Sequence, residues 1–202
     1  MRIIAGSYRS RPLKAPPGRR TRPTSDRLRE TLFTVLAPRI QGGIFLDLYA
    51  GSGAVGIEAL SRGALHVTFV DHAPAAVKIL RGNLERLAIG NGFRIHPGSV
   101  GAFLLLAAKA SPRPERYEVV FLDPPYDEER EYKATLGLLG GSAAVLLAPG
   151  ALVVAEHAHK LALDDQYGSL KRMRQLKQGD ALLSFYESHS EPSDPSATSH
   201  PE

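Results

Sequence analysis

The sequence predicts an α/β protein built on a Rossmann-like, doubly wound sheet of seven strands. Two patterns predict it. From residue 43, short apolar runs alternate with helical segments, as consecutive βαβ units on a parallel sheet require. After residue 165 that alternation stops, and runs at 169–176 and 181–187 flank Lys177-Gln178-Gly179-Asp180, which reads as an antiparallel hairpin closing the sheet.

The elements follow in order. Residues 2–5 are a short apolar stretch, and the Gly-, Pro- and Arg-rich run after them, to residue 23, suits a hairpin or extended arm. Thr24 or Ser25 can cap a helix in which Leu28, Leu32, Val35 and Leu36 recur at helical spacing, with Arg27, Arg29 and Glu30 facing outward. Strands are expected at 44–48, 66–70, 93–96, 119–122 and 152–155, separated by helices at 54–62, 74–88, 99–109 and 129–147. Residues 188–202 hold no core former beyond a single alanine and are expected to be a disordered tail. With 202 residues, 43% of them hydrophobic, the chain can fill one sizeable core. It therefore divides into a basic arm and helix over 1–37, one main domain over 38–187 and the tail.

Composition excludes several function classes. There is no cysteine, so disulfides, thiolate metal sites and thiol nucleophiles are ruled out. Seven scattered histidines, with His157 and His159 lacking companion ligands, point to no metal site. The N-terminus lacks the apolar core of a secretory signal, and no apolar run approaches the ~18 residues of a membrane span, so a soluble, cytoplasmic monomer is expected. The net charge of +4 is unevenly placed: nine Lys or Arg against Asp26 and Glu30 leave residues 1–30 at +7, and so the other 172 at −3. A basic end on a mildly acidic body suits contact with a polyanion, though a solvated arm carries the same pattern.

Two motifs carry the chemistry. Gly51-Ser52-Gly53-Ala54-Val55-Gly56 follows the first strand and opens a helix. Glycines there permit a tight turn and close backbone approach, and the N–H groups at the helix start favour polar or anionic ligand atoms. Asp71 ends the second strand, twenty residues beyond Gly51, where a carboxylate can accept both ribose hydroxyls of an adenosine or cap the next helix. Asp47 precedes the glycines as D-x-x-x-G-x-G. A carboxylate there would oppose a pyrophosphate but suits a ligand bearing an ammonium and a sulfonium.

The second motif is Asp123-Pro124-Pro125-Tyr126 at the end of the fourth strand, where open α/β sheets place their ligands. Two prolines withdraw two N–H donors and stiffen the loop, leaving carboxylate and carbonyl acceptors suited to an amino group. Hydrogen bonds from an exocyclic NH2 to the Asp123 carboxylate and the Pro124 carbonyl would favour a pyramidal nitrogen and expose its lone pair. Tyr126 offers a flat face for base stacking, worth roughly 1 to 3 kcal/mol. A proline-terminated strand and turn is the structural alternative.

The segment D-L-Y-A-G-S-G resembles motif I of class I S-adenosylmethionine methyltransferases, and D-P-P-Y resembles motif IV of the amino-methyltransferases. Together with residues 2–9 (RIIAGSYR) and 21–30 (TRPTSDRLRE), in this order, the chain resembles the RsmD-type 16S ribosomal RNA guanine-N2 methyltransferases over residues 1 to about 187. The resemblance implies a class I methyltransferase fold and S-adenosyl-L-methionine as cofactor. It implies methylation of guanine N2 in 16S ribosomal RNA, at a nucleotide of the guanine-966 type, on free RNA or an assembling small subunit. It places Asp123, Pro124, Pro125 and Tyr126 in catalysis, and Asp47, Tyr49, Ala50, Gly51, Ser52, Gly53, Gly56, Asp71, His72, Ser99 and Asp123 around the cofactor. RNA contacts would come from Arg9, Arg11, Arg20, Arg22 and Arg27. Asn83, on the helix after Asp71, resembles a position common in the family, or is a helix-surface amide. At His96-Pro97-Gly98-Ser99 the chain departs from the acidic or polar residue that such enzymes often place near the adenine. The same tetrapeptide serves adenine-N6 and protein-glutamine methyltransferases. A nucleotide-dependent oxidoreductase and a non-catalytic RNA-binding protein are the other classes compatible with the glycine turn.

Overall fold

The computed structural model describes residues 1–15, 26–112, 115–124 and 129–189. The N-terminal stretch folds back on itself: Arg2 bridges Pro12, and Ile3 N donates to Arg11 O at 3.0 Å. Helix α1 spans Asp26–Ile40, and β1 (Ile44–Leu48), α2 (Ala54–Ser61), β2 (His66–Asp71), α3 (Pro74–Arg86), β3 (Phe93–Pro97), α4 (Val100–Lys109) and β4 (Tyr117–Leu122) follow in strict alternation. Next come α5 (Glu129–Leu139), β5 (Leu147–Ala158), β6 (Gln166–Tyr167), β7 (Leu170–Gln178) and β8 (Ala181–Ser188). One sheet holds all the strands in the order β3-β2-β1-β4-β5-β8-β7-β6. The first five run parallel, and β8 enters antiparallel beside β5.

Strand alternation divides the core into two layers. Phe45, Phe69, Phe121 and Val154 face α1, α2 and α3, whereas Leu46, Val70, Leu122 and Ala155 face α4 and α5. Both faces of β1 and β4 are covered, which is why those segments are mostly apolar, whereas edge strand β3 is only partly buried. Asp47 belongs to the first layer by the same alternation, as do Asp71 and Asp123 just past the apolar residues of their strands.

Four expectations are corrected. The sheet has an eighth strand, because Gln166–Tyr167 pairs with the start of β7 at its far edge. The helix expected at 129–147 stops at Leu139, where Gly140-Gly141 interrupts it and a short 3-10 turn at Ala144–Leu146 leads into β5. A Cβ on Gly140 would stand 1.6 Å from Tyr167 O, so glycine is what lets this corner meet β6. Strand β5 starts five residues earlier than expected: Pro149-Gly150 looks like a turn but lies in an irregular stretch where the pairing jumps from Tyr117↔Leu147 to Val119↔Leu152. Finally, Ser188 ends β8 and His189 N donates to Ser169 O, so of the expected tail only 190–202 is left, outside the described residues. The possible caps Thr24 and Ser25 also lie outside them.

Candidate active site

The glycine turn is held from both sides. Tyr49 and Gly51 adopt φ of 60° and 55°, and Gly53, at φ 78°, starts α2. Gly51 N donates to Asp71 Oδ2 at 2.7 Å, and Asp71 Oδ1 accepts from Ala73 N at 2.8 Å. One carboxylate thus braces the turn and the entry to α3 together, and each oxygen keeps a further lone pair for a ligand. The glycines divide the work: a Cβ on Gly56 would come within 2.2 Å of Phe69 and one on Gly53 within 2.2 Å of Leu80. Those two permit close packing of α2. A Cβ on Gly51 would meet nothing nearer than 3.9 Å, so Gly51 borders open space.

Beneath the turn lies Asp47, only 2% exposed, which accepts Gly56 N at 2.8 Å. Burial pushes its carboxyl up to about 8; the Gly56 hydrogen bond opposes that rise and the Asp71 charge adds to it. An anion so poorly solvated is stabilised by a cation brought against it.

The second motif stands beside the first. Strands β1 and β4 are parallel neighbours with Leu48 opposite Leu122, so the glycine turn and Asp123 leave the same sheet edge side by side. Asp123 Oδ1 is enclosed and has no hydrogen-bond partner. Its carboxyl is raised well above the ordinary range, by burial first, then by the charges of Glu156 and Asp47. The single Tyr132 O–H is shared between two carbonyls, with its short arm to Glu156 O at 2.7 Å and its long arm to Pro124 O at 3.3 Å. A carbonyl has two lone pairs, so the Pro124 oxygen retains one acceptor site. Pro125 and Tyr126 lie outside the described residues.

The other expected cofactor residues are placed less uniformly. Ala50 N donates to Val70 O, and Ser52 O accepts from Asn83, so both are fixed within the turn. The Tyr49 hydroxyl is taken up by α5, donating to Glu131 at 2.8 Å and lying 2.7 Å from Thr135, which leaves the Tyr49 backbone at the turn. His72 is exposed in a cleft of about 750 Å³ with Pro74, Val77 and Pro97. Ser99 caps α4 by accepting Ala102 N at 3.4 Å and lines a separate hollow of about 720 Å³ with His96 and Phe103. Neither hollow is lined by Asp47 or Asp123.

The basic arm is clamped to this edge by residues the sequence left ambiguous. Asn83 is fully buried, not a surface amide: it donates to Ser52 O at 2.9 Å and to Lys14 O at 3.0 Å, and accepts from Lys14 N at 2.9 Å. The other end of the hairpin is pinned on α2, where Glu58 accepts Ile4 N and Ala5 N at 2.7 and 3.0 Å. Arg9, Arg11 and Arg27 are exposed; Arg20 and Arg22 lie outside the described residues. Arg29 was expected on the surface and is fully buried. Its Nη2 donates to Arg2 O at 2.6 Å and to Asp26 at 2.7 Å, so this cation ties the hairpin to α1. Sequence reasoning missed Tyr132 and Glu156, whose one signal was an acid in the otherwise apolar run Leu152-Val-Val-Ala-Glu156. Among the described residues no helix is long and apolar enough to cross a membrane, and no three potential metal ligands converge.

Comparison with known proteins agrees with this arrangement. The family described as Conserved hypothetical protein 95 matches residues 1–187. "Putative rRNA methyltransferase YlbH" of Bacillus subtilis is 38% identical over 186 residues, 92% of this chain and 98% of that protein. "Ribosomal RNA small subunit methyltransferase D" of Escherichia coli is 42% identical over 126 residues, 62% of this chain and 60% of its own length. The solved structure "Putative methyltransferase yhhF from Escherichia coli" superimposes with a TM-score of 0.80 at 34% identity, covering 95% of this chain and 99% of that one. With a matching fold, and with the glycine turn and Asp123-Pro124 on one sheet edge, the chain belongs to this family, the RsmD-type ribosomal RNA methyltransferases.

Proposed function

We propose that the chain transfers the methyl group of S-adenosyl-L-methionine to the exocyclic N2 of a guanine in 16S ribosomal RNA. The observation that carries the reading is the enclosed, unpartnered Oδ1 of Asp123, set next to the glycine turn. A buried acceptor without a donor costs roughly 1 to 3 kcal/mol and is retained where a ligand supplies the missing hydrogen.

The residues present fit the cofactor. Asp71 and the Gly51 turn would hold its adenosine, and the buried Asp47 favours a positively charged ligand. When bound, the cofactor supplies an electrophilic methyl on a sulfonium. Everything else falls to the protein. The Asp123 carboxylate and the Pro124 carbonyl take the two amine hydrogens and turn the nitrogen lone pair toward the methyl, which is catalysis by orientation and electrostatics. Once the nitrogen is alkylated it must shed a proton, and the raised proton affinity of Asp123 suits its Oδ1 to receive it. Tyr126 would stack on the base, and Arg9, Arg11, Arg27, Arg20 and Arg22 would meet phosphates. The substrate would be the free RNA or an assembling small subunit in the cytoplasm, met by a monomer.

Undermodified small-subunit RNA incubated with tritiated cofactor tests the reading: label should appear in N2-methylguanosine on nucleoside analysis. Label in N6-methyladenosine, or none, would overturn it.

A further inference from the structure

Purines that carry an amine beside a ring nitrogen differ in what that nitrogen offers. Guanine presents N1–H, a donor, next to its N2 amine; adenine presents a bare N1, an acceptor, next to N6. A guanine site therefore needs one acceptor more than the amine clamp provides.

Such an acceptor stands next to Asp123. Leu122 and Ala155 are opposite one another on parallel β4 and β5, so the next residues, Asp123 and Glu156, sit side by side at about the 4.8 Å spacing of neighbouring strands. Alternation puts both on the layer of Phe121 and Val154. Glu156 is 1% exposed, and its backbone carbonyl shares the Tyr132 hydroxyl with that of Pro124. The Asp123 and Glu156 side chains thus stand side by side on one face at the sheet edge, close enough for the Glu156 charge to raise the Asp123 carboxyl, and Asp123 Oδ1 is enclosed and unpartnered.

We propose that Glu156 is the specificity-determining residue for the base: its carboxylate accepts N1–H of guanine while Asp123 and Pro124 take the N2 hydrogens. The proposal rests on the amine-methylation reading above and adds the reason for the choice of base. A purine with a lone pair at N1 sets two acceptors against each other, and sites that bond a substrate N–H reject analogues lacking it by up to about 10⁴ to 10⁵.

The test uses full-length small-subunit RNA, joined by splinted ligation, carrying at the methylated nucleotide either guanine or 2-aminopurine, which keeps the N2 amine but has no hydrogen at N1. Wild-type kcat/KM should favour guanine by about a hundredfold or more. Glu156→Gln, whose amide can accept from N1–H or donate to a bare N1, should narrow that preference at least about tenfold. Loss of a merely structural residue would lower both rates together and leave the ratio alone. A folded Glu156→Gln with an unchanged ratio overturns the proposal. Should that variant not fold, the wild-type ratio decides: equal labelling of the two RNAs overturns it and a large preference upholds it. No label on either RNA strikes the methyl-transfer reading itself, and this proposal with it.

Discussion

Two buried carboxylates set the hairpin side of the molecule against its catalytic edge. Glu58, fully buried on α2, receives Ile4 N, Ala5 N and Arg62 Nε, all within 3.0 Å. Asp123 has an enclosed oxygen with no partner, and Asp47 accepts from Gly56 N. Both regions withdraw charge from water, but of these acids Glu58 is the one met by several donors within the protein. The lesson is that a satisfied buried acid holds structure together, whereas an unsatisfied one awaits something from outside.

The sharpest way to break that contrast is to delete each acid. Asp123→Ala should lower methyl transfer on the order of a hundred- to a thousandfold, the scale of losing one preorganised transition-state contact. The melting temperature, and its rise on adding S-adenosylhomocysteine, should stay near wild type because Asp123 Oδ1 holds no partner to strand. Near wild-type turnover would remove the proposed amine clamp. Glu58→Ala should do the reverse. Stranding Arg62 and two backbone amides costs roughly 3 to 5 kcal/mol, about 10 °C for a chain of this size. At a temperature where the variant is folded, kcat should hold while KM for RNA rises, since the arm is what Glu58 pins. A thermal melt and a rate measurement check both halves.

Tyr132→Phe probes the join between the two regimes, since one hydroxyl serves the carbonyls of both Pro124 and Glu156. Removing it leaves a buried carbonyl short of a donor, at roughly 1 to 3 kcal/mol of stability. It also frees the proline carbonyl to shift, which should cost about tenfold in kcat with little change in KM for the cofactor. A loss of stability with kcat untouched would confine Tyr132 to packing.

How much of this was legible depended on distance along the chain. β1 was read with its bounds intact because four apolar residues in five and the glycines after them are local signals. Asp47, Gly51, Asp71 and Asp123 were singled out for the same reason, each marked by its own neighbours. The early start of β5 was missed because the pairing that defines it, with β4, is not local. Arg29 and Asn83 looked like surface residues because their partners, Arg2 O and Lys14, lie 27 and 69 residues away. Glu156 escaped notice because an acid in a strand means nothing until β4 sets Asp123 beside it.

The smallest effect reads the catalytic edge by its protons. Asp47 is held at about 8 in the folded protein against 3.8 ordinarily, so the native state binds its proton more tightly than the unfolded chain does. Ionising it therefore destabilises the fold, and the stability of the cofactor-free protein should fall as pH rises between those values. Asp123 is shifted the same way. His66, His96 and His157 are lowered from 6.5, so the unfolded chain still binds part of their protons near pH 7 and they oppose the trend there, an opposition that fades as pH approaches 8. Thermal melts across that window should show a decline of a few degrees, which Asp47→Asn flattens in part, leaving the share due to Asp123. An Asp47→Asn variant whose melting temperature follows pH as the wild type's does would mean the Asp47 carboxylate already has a cation within the protein, and the catalytic edge would then resemble the hairpin side after all.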